Sequence, residues 1–284
     1  MIYTHFQISK QAVSQYEQRE LLRMNYGQDL LEQVRIERKV HPRMGARVLY
    51  SKLKPRYIGR VRYESLLMKN GFRLRKLKNY LRTTDSSWVH YKNLIAGNTL
   101  NDINQVWVSD ITYYLIAKEI YYITTIMDLY SRRILGYSIS ERMFADDSSM
   151  QCLRMALKLR KIKMYEQLIH HSDRGSQYRY KPYTKLLESK GARISMCRSV
   201  YDNAHMERLN GTIKNDYLIP LGVESFKALK RMLPVVVKRY NDLRPHSSLN
   251  KLTPMAFEQS ISTLSLVKRP KTKIKAELST IQRY

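Results

Sequence analysis

Val106-Trp107-Val108-Ser109-Asp110-Ile111-Thr112-Tyr113-Tyr114-Leu115 is the stretch that decides the fold. Most of these residues are β-branched or aromatic, the types that fit a pleated and largely buried strand. Asp110 breaks the pattern. A charge in the middle of such a strand is costly unless it is paired or coordinates a metal, although a lone acidic residue also suits an edge strand. The runs Ile120–Asp128 and Ile134–Ile139 repeat the same composition after short turns. Three strands so spaced predict an antiparallel meander.

Downstream, apolar Met150, Leu153 and Leu157 predict a helix over 146–160, capped by Asp146 or Asp147. Leu168-Ile169-His170-His171 reads as a short strand running into Asp173, and 177–190 as a helix ending at Gly191. Ile194-Ser195-Met196 is a brief fifth strand. Residues 203–218 form a helix with Met206, Leu209, Ile213 and Tyr217 on one side. The order β-β-β-α-β-α-β-α predicts an α/β core over 105–220 around a mixed five-stranded sheet. A helical extension of the core is expected over 221–261, and a basic tail, disordered in isolation, over 262–284.

Upstream, residues 1–80 read as short helices. Ser9 is an N-cap before one; Leu30, Leu31, Val34 and Val40 mark another over 28–40, which breaks at His41-Pro42. Val48, Leu49 and Leu53 mark the next. Val61, Leu66, Leu67 and Met68 mark the last, which ends at Asn70-Gly71. Tight turns between them suit a helix-turn-helix module, with Arg73, Arg75, Lys76 and Lys78 placed for a phosphate backbone. A helical hairpin with a solvated basic face fits the same pattern. Residues 81–104 are polar and irregular and read as a linker.

Charge narrows the partner. The chain has 51 Lys and Arg against 24 Asp and Glu, a net +27. Like charges repel in the compact state, so a polyanion is the natural partner. Neutralising phosphates releases condensed counterions. An anionic membrane surface is the alternative, but no basic amphipathic anchor or lipidation motif is visible. Residues 1–100 carry 20 basic and 7 acidic residues, 101–220 carry 18 and 13, and 221–284 carry 13 and 4. The middle is the least basic part, as expected of a core that gathers carboxylates between DNA-reaching arms. No apolar run is long enough to span a membrane, and the N-terminus lacks signal-peptide features. Cys152 and Cys197 stand alone, without CxxC spacing, which excludes a zinc module or disulfide framework and fits a reducing cytoplasm.

Asp110, Asp173 and Glu207 are the candidate metal ligands. Asp173 follows a short apolar strand, where α/β sheets place ligands. Glu207 lies on a helix, turned away from the Met206–Leu209–Ile213 stripe, with Lys214 two turns further along the same face. Taken singly, each has a plain alternative: an edge-strand Asp, a surface Glu, or a solvated Glu207–Lys214 pair. Together, in a basic chain, they suit hard cations such as Mg²⁺. Two such ions about 4 Å apart clamp an in-line phosphoryl displacement, so the carboxylates are expected to converge within about 4–8 Å. Asp128 reads as a turn or cap residue. Asp202 would replace Glu207 only if the helix began earlier. His170, His171 and His205 are too scattered for a zinc set, leaving His171 as a support that orients a carboxylate or water.

Four segments of the core carry a family resemblance. They are Val106–Tyr113, Met127-Asp128-Leu129-Tyr130-Ser131-Arg132, His171-Ser172-Asp173-Arg174-Gly175-Ser176-Gln177-Tyr178, and Tyr201-Asp202-Asn203-Ala204-His205-Met206-Glu207-Arg208 followed by Lys214. Beyond the core, Tyr240-Asn241-Asp242-Leu243-Arg244-Pro245-His246-Ser247-Ser248-Leu249 with Thr253-Pro254 is a fifth, and the helical stretch 30–80 with His41–Gly45 a sixth. In this order they resemble the DDE integrase and transposase superfamily, most closely OrfB of the IS-three insertion-sequence family, over roughly residues 8–260. The 33 residues between Asp173 and Glu207 make that interval slightly shorter than is usual in the family.

The resemblance implies an RNase H-like integrase core in which Asp110, Asp173 and Glu207 are catalytic and hold two Mg²⁺ ions, with Mn²⁺ substituting. It implies cleavage at insertion-sequence ends, which frees a 3′-OH for strand transfer through a circular intermediate. Asn203 and His171 would support the site, and Arg208 and Lys214 would contact DNA. The implied partners are double-stranded DNA, further copies of the chain on paired ends, and OrfA as a fusion or separate protein, in a bacterial cytoplasm at the nucleoid. A nuclease of the same fold that cuts without joining, and a repressor-like DNA-binding protein, are the competing readings. No Arg-His-Arg-Tyr arrangement supports a tyrosine recombinase.

Overall fold

A computed structural model describes residues 9–74, 91–197 and 203–274. The chain separates into two compact units, Met1–Lys76 and Leu77–Tyr284.

In the first unit, helix α1 spans Lys10–Val40, α2 Ala46–Leu53 and α3 Arg60–Lys69. The two segments expected before His41 are one continuous helix. Ser9 caps it, its Oγ accepting from the Ala12 N–H at 3.1 Å. Nothing between residues 14 and 27 breaks the backbone, because an isolated glycine such as Gly27 is tolerated within a helix. Leu30, Leu31 and Val34 pack with Met44, Leu49, Tyr63 and Leu67 into a small core. The apolar face of α3 is therefore Tyr63 and Leu67, while Val61 and Met68 are exposed.

The second unit is built on β1 (Thr99–Leu100), β2 (Val106–Ile116), β3 (Glu119–Asp128), β4 (Ile134–Ser140), β5 (Ile169–Ser172), β6 (Arg193–Met196) and β7 (Thr272–Lys273). Its main sheet has the order β4-β3-β2-β5-β6. The first three strands form the expected antiparallel meander, and β5 and β6 join parallel to β2. Helices α4 (Ser149–Arg160), α5 (Ser176–Arg179) and α6 (Lys181–Ser189) follow. So do α7 (Ala204–Gly211), which runs directly into a π-helical segment, Thr212–Leu218, then α8 (Phe226–Leu243) and α9 (Pro254–Ser262).

One buried cluster joins Trp107, Ile126 and Leu135 to Leu153 and Ala156 of α4 and Tyr183 and Leu187 of α6. The other joins Val108, Ile123 and Ile134 to Met206, Leu209, Ile213 and Tyr217, and onward to Leu233 and Val236 of α8. The two clusters cover opposite faces of the sheet, and each large side chain so buried contributes about 1.5–3 kcal/mol. Gly136 lets α4 lie close, since a Cβ there would collide with the Cys152 carbonyl.

The local differences from the sequence reading have physical causes. The helix expected over 146–160 begins at Ser149 with Ser148 as its cap residue, because Phe144–Ser148 close a turn: the Ser148 Oγ donates to the Phe144 carbonyl at 2.6 Å. Residues 177–190 are two helices that change direction at Tyr180, where Pro182 sits in the first turn of α6. Within the expected linker, Ile95 and Leu100 are buried and β1 pairs with β7, from the expected tail: Thr99 faces Lys273 and Leu100 faces Thr272.

Asp128 is fully buried and closes the β3–β4 turn. Its Oδ1 accepts from the Tyr130 and Ser131 N–H groups at 3.0 and 3.1 Å, and its Oδ2 from the Asn104 N–H at 2.7 Å. Arg160 lies 3.4 Å away and also binds Glu258 of α9, which pairs with Arg133 at 2.6 Å. The turn-cap expectation thus describes what Asp128 does.

Candidate active site

The sheet register brings the first two candidate carboxylates together. In the parallel β2–β5 pair, Val106 faces Ile169, Trp107 faces His170 and Val108 faces His171. Asp110 lies two residues beyond Val108, and Asp173 two residues beyond His171. The same register places them abreast, on strands about 4.8 Å apart and on one face. Asp173 is held by the turn that follows, its Oδ1 accepting from the Gly175 N–H at 3.0 Å. A Cβ at 175 would sit 2.9 Å from Gln177 Oε1 and 3.0 Å from Asp173 Oδ1, so a side chain there would displace these two side-chain ends. Below the pair, the Ser109 and Tyr178 hydroxyls are 2.9 Å apart, and Ser109 donates to the Thr125 carbonyl at 3.1 Å.

The third carboxylate comes from α7, which lies against β2 through three polar contacts. Asn203, the residue before the helix, donates from Nδ2 to the Ser109 carbonyl at 3.4 Å. Asn210 donates from Nδ2 to Asp110 Oδ2 at 2.7 Å. Lys214 donates to the Tyr113 carbonyl at 3.3 Å, its Nζ 4.6 Å from the centre of the Tyr113 ring. Glu207 is four residues after Asn203 and three before Asn210, so it shares their face and is exposed to solvent. The π-helical segment changes the helical repeat after Gly211 and turns Lys214 onto β2. Single π-turns of this kind recur at functional sites.

Electrostatics mark Asp110 as the strained member. Burial and the Asp173 charge, with a smaller push from Glu207, drive its carboxyl up to about 8, against the Ile111 N–H and the Asn210 amide. Burial likewise raises Asp173, opposed by the Gly175 N–H. Lys214 is lowered by burial and partly restored by the Asp110 charge. Among the described residues, no three His, Cys, Asp or Glu side chains are drawn tightly enough together to hold an ion. The donor set still fits a hard cation. The Asp173 and Glu207 charges both act on Asp110, and one short side-chain hydrogen bond, from Asn210, reaches the group. The Oδ1 atoms of Asn203 and Asn210 are buried without hydrogen-bond partners.

The other expected site residues are more dispersed. His171 is buried, with its Nδ1 2.8 Å from Ser195 Oγ and its Nε2 3.1 Å from Cys197 Sγ, so both ring nitrogens tie β5 to β6. His170 meets the Tyr183 hydroxyl at 2.9 Å. Arg208 is exposed on α7, and Arg73 is exposed beyond α3 in the first unit. Arg75, Lys76, Lys78 and Asp202 lie outside the described residues. Asn210 was not singled out by the sequence; its position one turn after Glu207 was the available signal.

A mixed sheet in this order, with one acidic residue on a central strand, a second just past the end of its parallel neighbour and a third on a facing helix, defines an RNase H-like integrase core. Two family models agree, both described as integrase core domain, matching residues 101–201 and 192–254. An uncharacterised protein of insertion element IS600 from Shigella sonnei is 34% identical over 71% of this chain and 75% of that protein. The transposase of insertion sequence IS904 from Lactococcus lactis is 31% identical, over 71% of this chain and 85% of that protein. Transposase InsF of IS3A from Escherichia coli is 32% identical, over 55% of this chain and 54% of that protein. The HTLV-2 integrase catalytic core domain, solved in complex with magnesium, is similar at 17% identity with a TM-score of 0.44, covering 59% of this chain and 99% of that one. The chain belongs to the IS-three family of insertion-sequence transposases, polynucleotidyl transferases of the DDE class. Enzymes of this class depend on divalent metal and act on DNA. No helix among the described residues is long and apolar enough to cross a membrane.

Proposed function

We propose that this transposase cleaves DNA at insertion-sequence ends and transfers the freed strands, with Asp110, Asp173 and Glu207 holding two Mg²⁺ ions that Mn²⁺ can replace. The observation that carries the reading is Asp110 itself. It is a carboxyl pushed up to about 8 beside two further carboxylates, an arrangement that a proton relieves below that pH and that bound cations would relieve above it. The bound metals would supply charge neutralisation at the scissile phosphate and a water acidic enough to attack it.

The chain's own residues do the positioning. The β2–β5 register sets Asp110 beside Asp173, the Gly175 N–H fixes the Asp173 carboxylate, and the Asn210 amide fixes Asp110 Oδ2. Hydrolysis at the element's end breaks one P–O bond and leaves a 3′-OH. That hydroxyl then attacks a target phosphodiester, forming one P–O bond as another breaks, so no covalent enzyme intermediate is required. The separate N-terminal unit, with Arg73 exposed after α3, fits a helix-turn-helix module on the DNA backbone. Paired ends call for more than one copy, and OrfA, fused or separate, would supply end recognition. The site of action is then the bacterial cytoplasm, at the nucleoid.

The test uses supercoiled plasmid carrying the element's ends, with Mg²⁺ or Mn²⁺ and with or without OrfA. Joined products from the intact chain and none from Asp110→Asn are expected. Nicking without joining under every condition would leave a nuclease instead.

A further inference from the structure

The segment Tyr240–Leu249 carries a motif that the carboxylate centre does not use. Its location in the fold is specific. Asn241 at the end of α8 grips the start of β4: its Oδ1 accepts from the Ile134 N–H and its Nδ2 donates to the Ile134 carbonyl, both at 2.9 Å. The Tyr240 hydroxyl reaches Met127 Sδ at 3.9 Å. This end of α8 is thereby pinned to the β3–β4 turn, and Tyr240 joins the buried cluster that contains Met206 and Leu209 of α7. Three sequence-distant segments meet here.

Each segment brings a cation. The turn brings Arg132, whose backbone takes a left-handed φ of 61°, a conformation that a non-glycine residue adopts at a cost of about 1–3 kcal/mol and that tends to persist where function requires it. The helix α7 brings exposed Arg208. The segment after α8 brings Arg244 and His246. Arg244 is anchored through Nη2 to Asp216 at 2.9 Å and lies 5.7 Å over the Tyr217 ring. His246 is set edge-on to Tyr240, with ring centres 4.8 Å apart, and its loop closes through hydrogen bonds from Leu249 and Lys251 to its carbonyl.

The donors that remain point to an anion. Arg244 Nη1 and His246 Nε2 are buried without hydrogen-bond partners. Neither Arg132 nor Arg208 has an ion-pair partner among the described residues. The nearby acids are already engaged: Asp128 by three backbone N–H groups and Arg160, and Asp216 by Arg244. The charges act on one another as a single cluster. Beyond burial, His246 is lowered by Arg244, Arg132 and Arg208, and Arg132, raised by Tyr240 and Asp128, is lowered by Arg208. Three guanidiniums and an imidazole, of which only Arg244 is held in an ion pair and still has one buried unpartnered nitrogen, match a phosphate.

We propose that Arg132, Arg208, Arg244 and His246 form a binding site for a phosphodiester of the DNA, carried partly by the helix that bears Glu207 but separate from the carboxylate centre. The inference rests on the DNA-strand-transfer reading and adds to it a fixed backbone clamp. Salt dependence of binding reports it. Each phosphate contact removed lowers the slope of log affinity against log salt by about 0.9, which is roughly a threefold smaller loss of affinity between about 50 and about 200 mM salt.

The experiment is fluorescence anisotropy of a labelled end-sequence duplex, without divalent metal, across that salt range. Arg208→Gln, at an exposed position, is expected to reduce the slope by about one, and Arg132→Gln with Arg208→Gln by about two. Arg208→Lys should restore most of it, and Lys163→Gln on the loop after α4 serves as a charge-matched control. Unchanged slopes in the arginine variants would overturn the site, as would a Lys163→Gln change of equal size. If Arg132→Gln fails to fold, Arg208→Gln alone decides. Asp110→Asn is expected to bind with the intact chain's slope. A failure of joining in the intact chain therefore strikes the catalytic reading and leaves the clamp standing, whereas unchanged slopes beside normal joining strike the clamp alone.

Discussion

Asp110 and Asp128 sit on adjacent strands of one sheet, and the protein treats them in opposite ways. Asp128 receives three backbone N–H groups and the Arg160 guanidinium, itself locked to Glu258. Asp110 receives the Asn210 amide and the Ile111 N–H, and stands beside two like charges. Both are acidic residues of strands built largely from apolar residues. The difference is where the compensation comes from. Burial raises both carboxyls, but around Asp128 the Arg160 guanidinium and the backbone N–H groups oppose it, which makes that carboxylate a structural fastener. The Asp110 end is left short of positive charge, which makes its carboxylates a place for metal.

Exchanging the two roles by mutation is the strongest way to break the contrast. Asp128→Asn removes one of the two carboxylates facing buried Arg160 and puts an amide donor where a carboxylate oxygen accepts a backbone N–H, and should cost about 1–3 kcal/mol of stability, read as a fall in the urea midpoint. Asp110→Asn should abolish cleavage and joining, yet leave the metal-free protein at least as stable as before. Equal destabilisation by both substitutions would show that the contrast is false.

A smaller effect is expected at Asn210, which touches no DNA in this account and positions Asp110. Losing such an outer partner of a metal ligand typically costs 10–100-fold in metal affinity or activity. Asn210→Ala should therefore raise the Mg²⁺ concentration needed for half-maximal joining, with saturating metal recovering part of the rate. An unchanged metal requirement would reduce Asn210 to a packing residue.

The smallest effect lies in pH dependence. An aspartate has an unfolded pKa near 3.9, and the folded Asp110 is raised to about 8. Between those values the folded state binds a proton that the unfolded state has lost, so stability declines as pH rises. The metal-free protein should lose thermal stability from pH 4 towards pH 8, and Asp110→Asn should flatten that part of the curve. Divalent metal should do the same by displacing the proton. A curve of Asp110→Asn superimposable on that of the intact chain would contradict this.

Much of this contrast was legible before any coordinates. The β-branched and aromatic runs around Asp110 announce a strand, and Asp173 follows an apolar segment too short for a helix. Turn chemistry after Asp128 already pointed to a cap. The unread parts depend on distant partners. Pairing of Thr99–Leu100 with Thr272–Lys273 involves two-residue strands, too short to show a period and far apart in the chain. The continuous α1 escaped because residues 14–27 are largely exposed and show no apolar stripe. The π-helical segment that contains Lys214 leaves no mark in a spacing of seven. Asn210 looks like any helix asparagine until β2 is set beside it. Arg132, Arg244 and His246 belong to motifs separated by more than a hundred residues and share a site through Asn241 and Ile134.

The central claim is that Asp110, Asp173 and Glu207 hold metal together, and Glu207 is the member that the fold leaves exposed. Replacing Mg²⁺ with Fe²⁺ and adding peroxide cuts a polypeptide next to bound iron, so mapping the fragments locates the metal. Cuts are expected beside residues 110, 173 and 207, suppressed by excess Mg²⁺ and lost in Asp110→Asn. Cuts at 110 and 173 with none near 207, or a pattern indifferent to Asp110→Asn, would contradict shared metal binding.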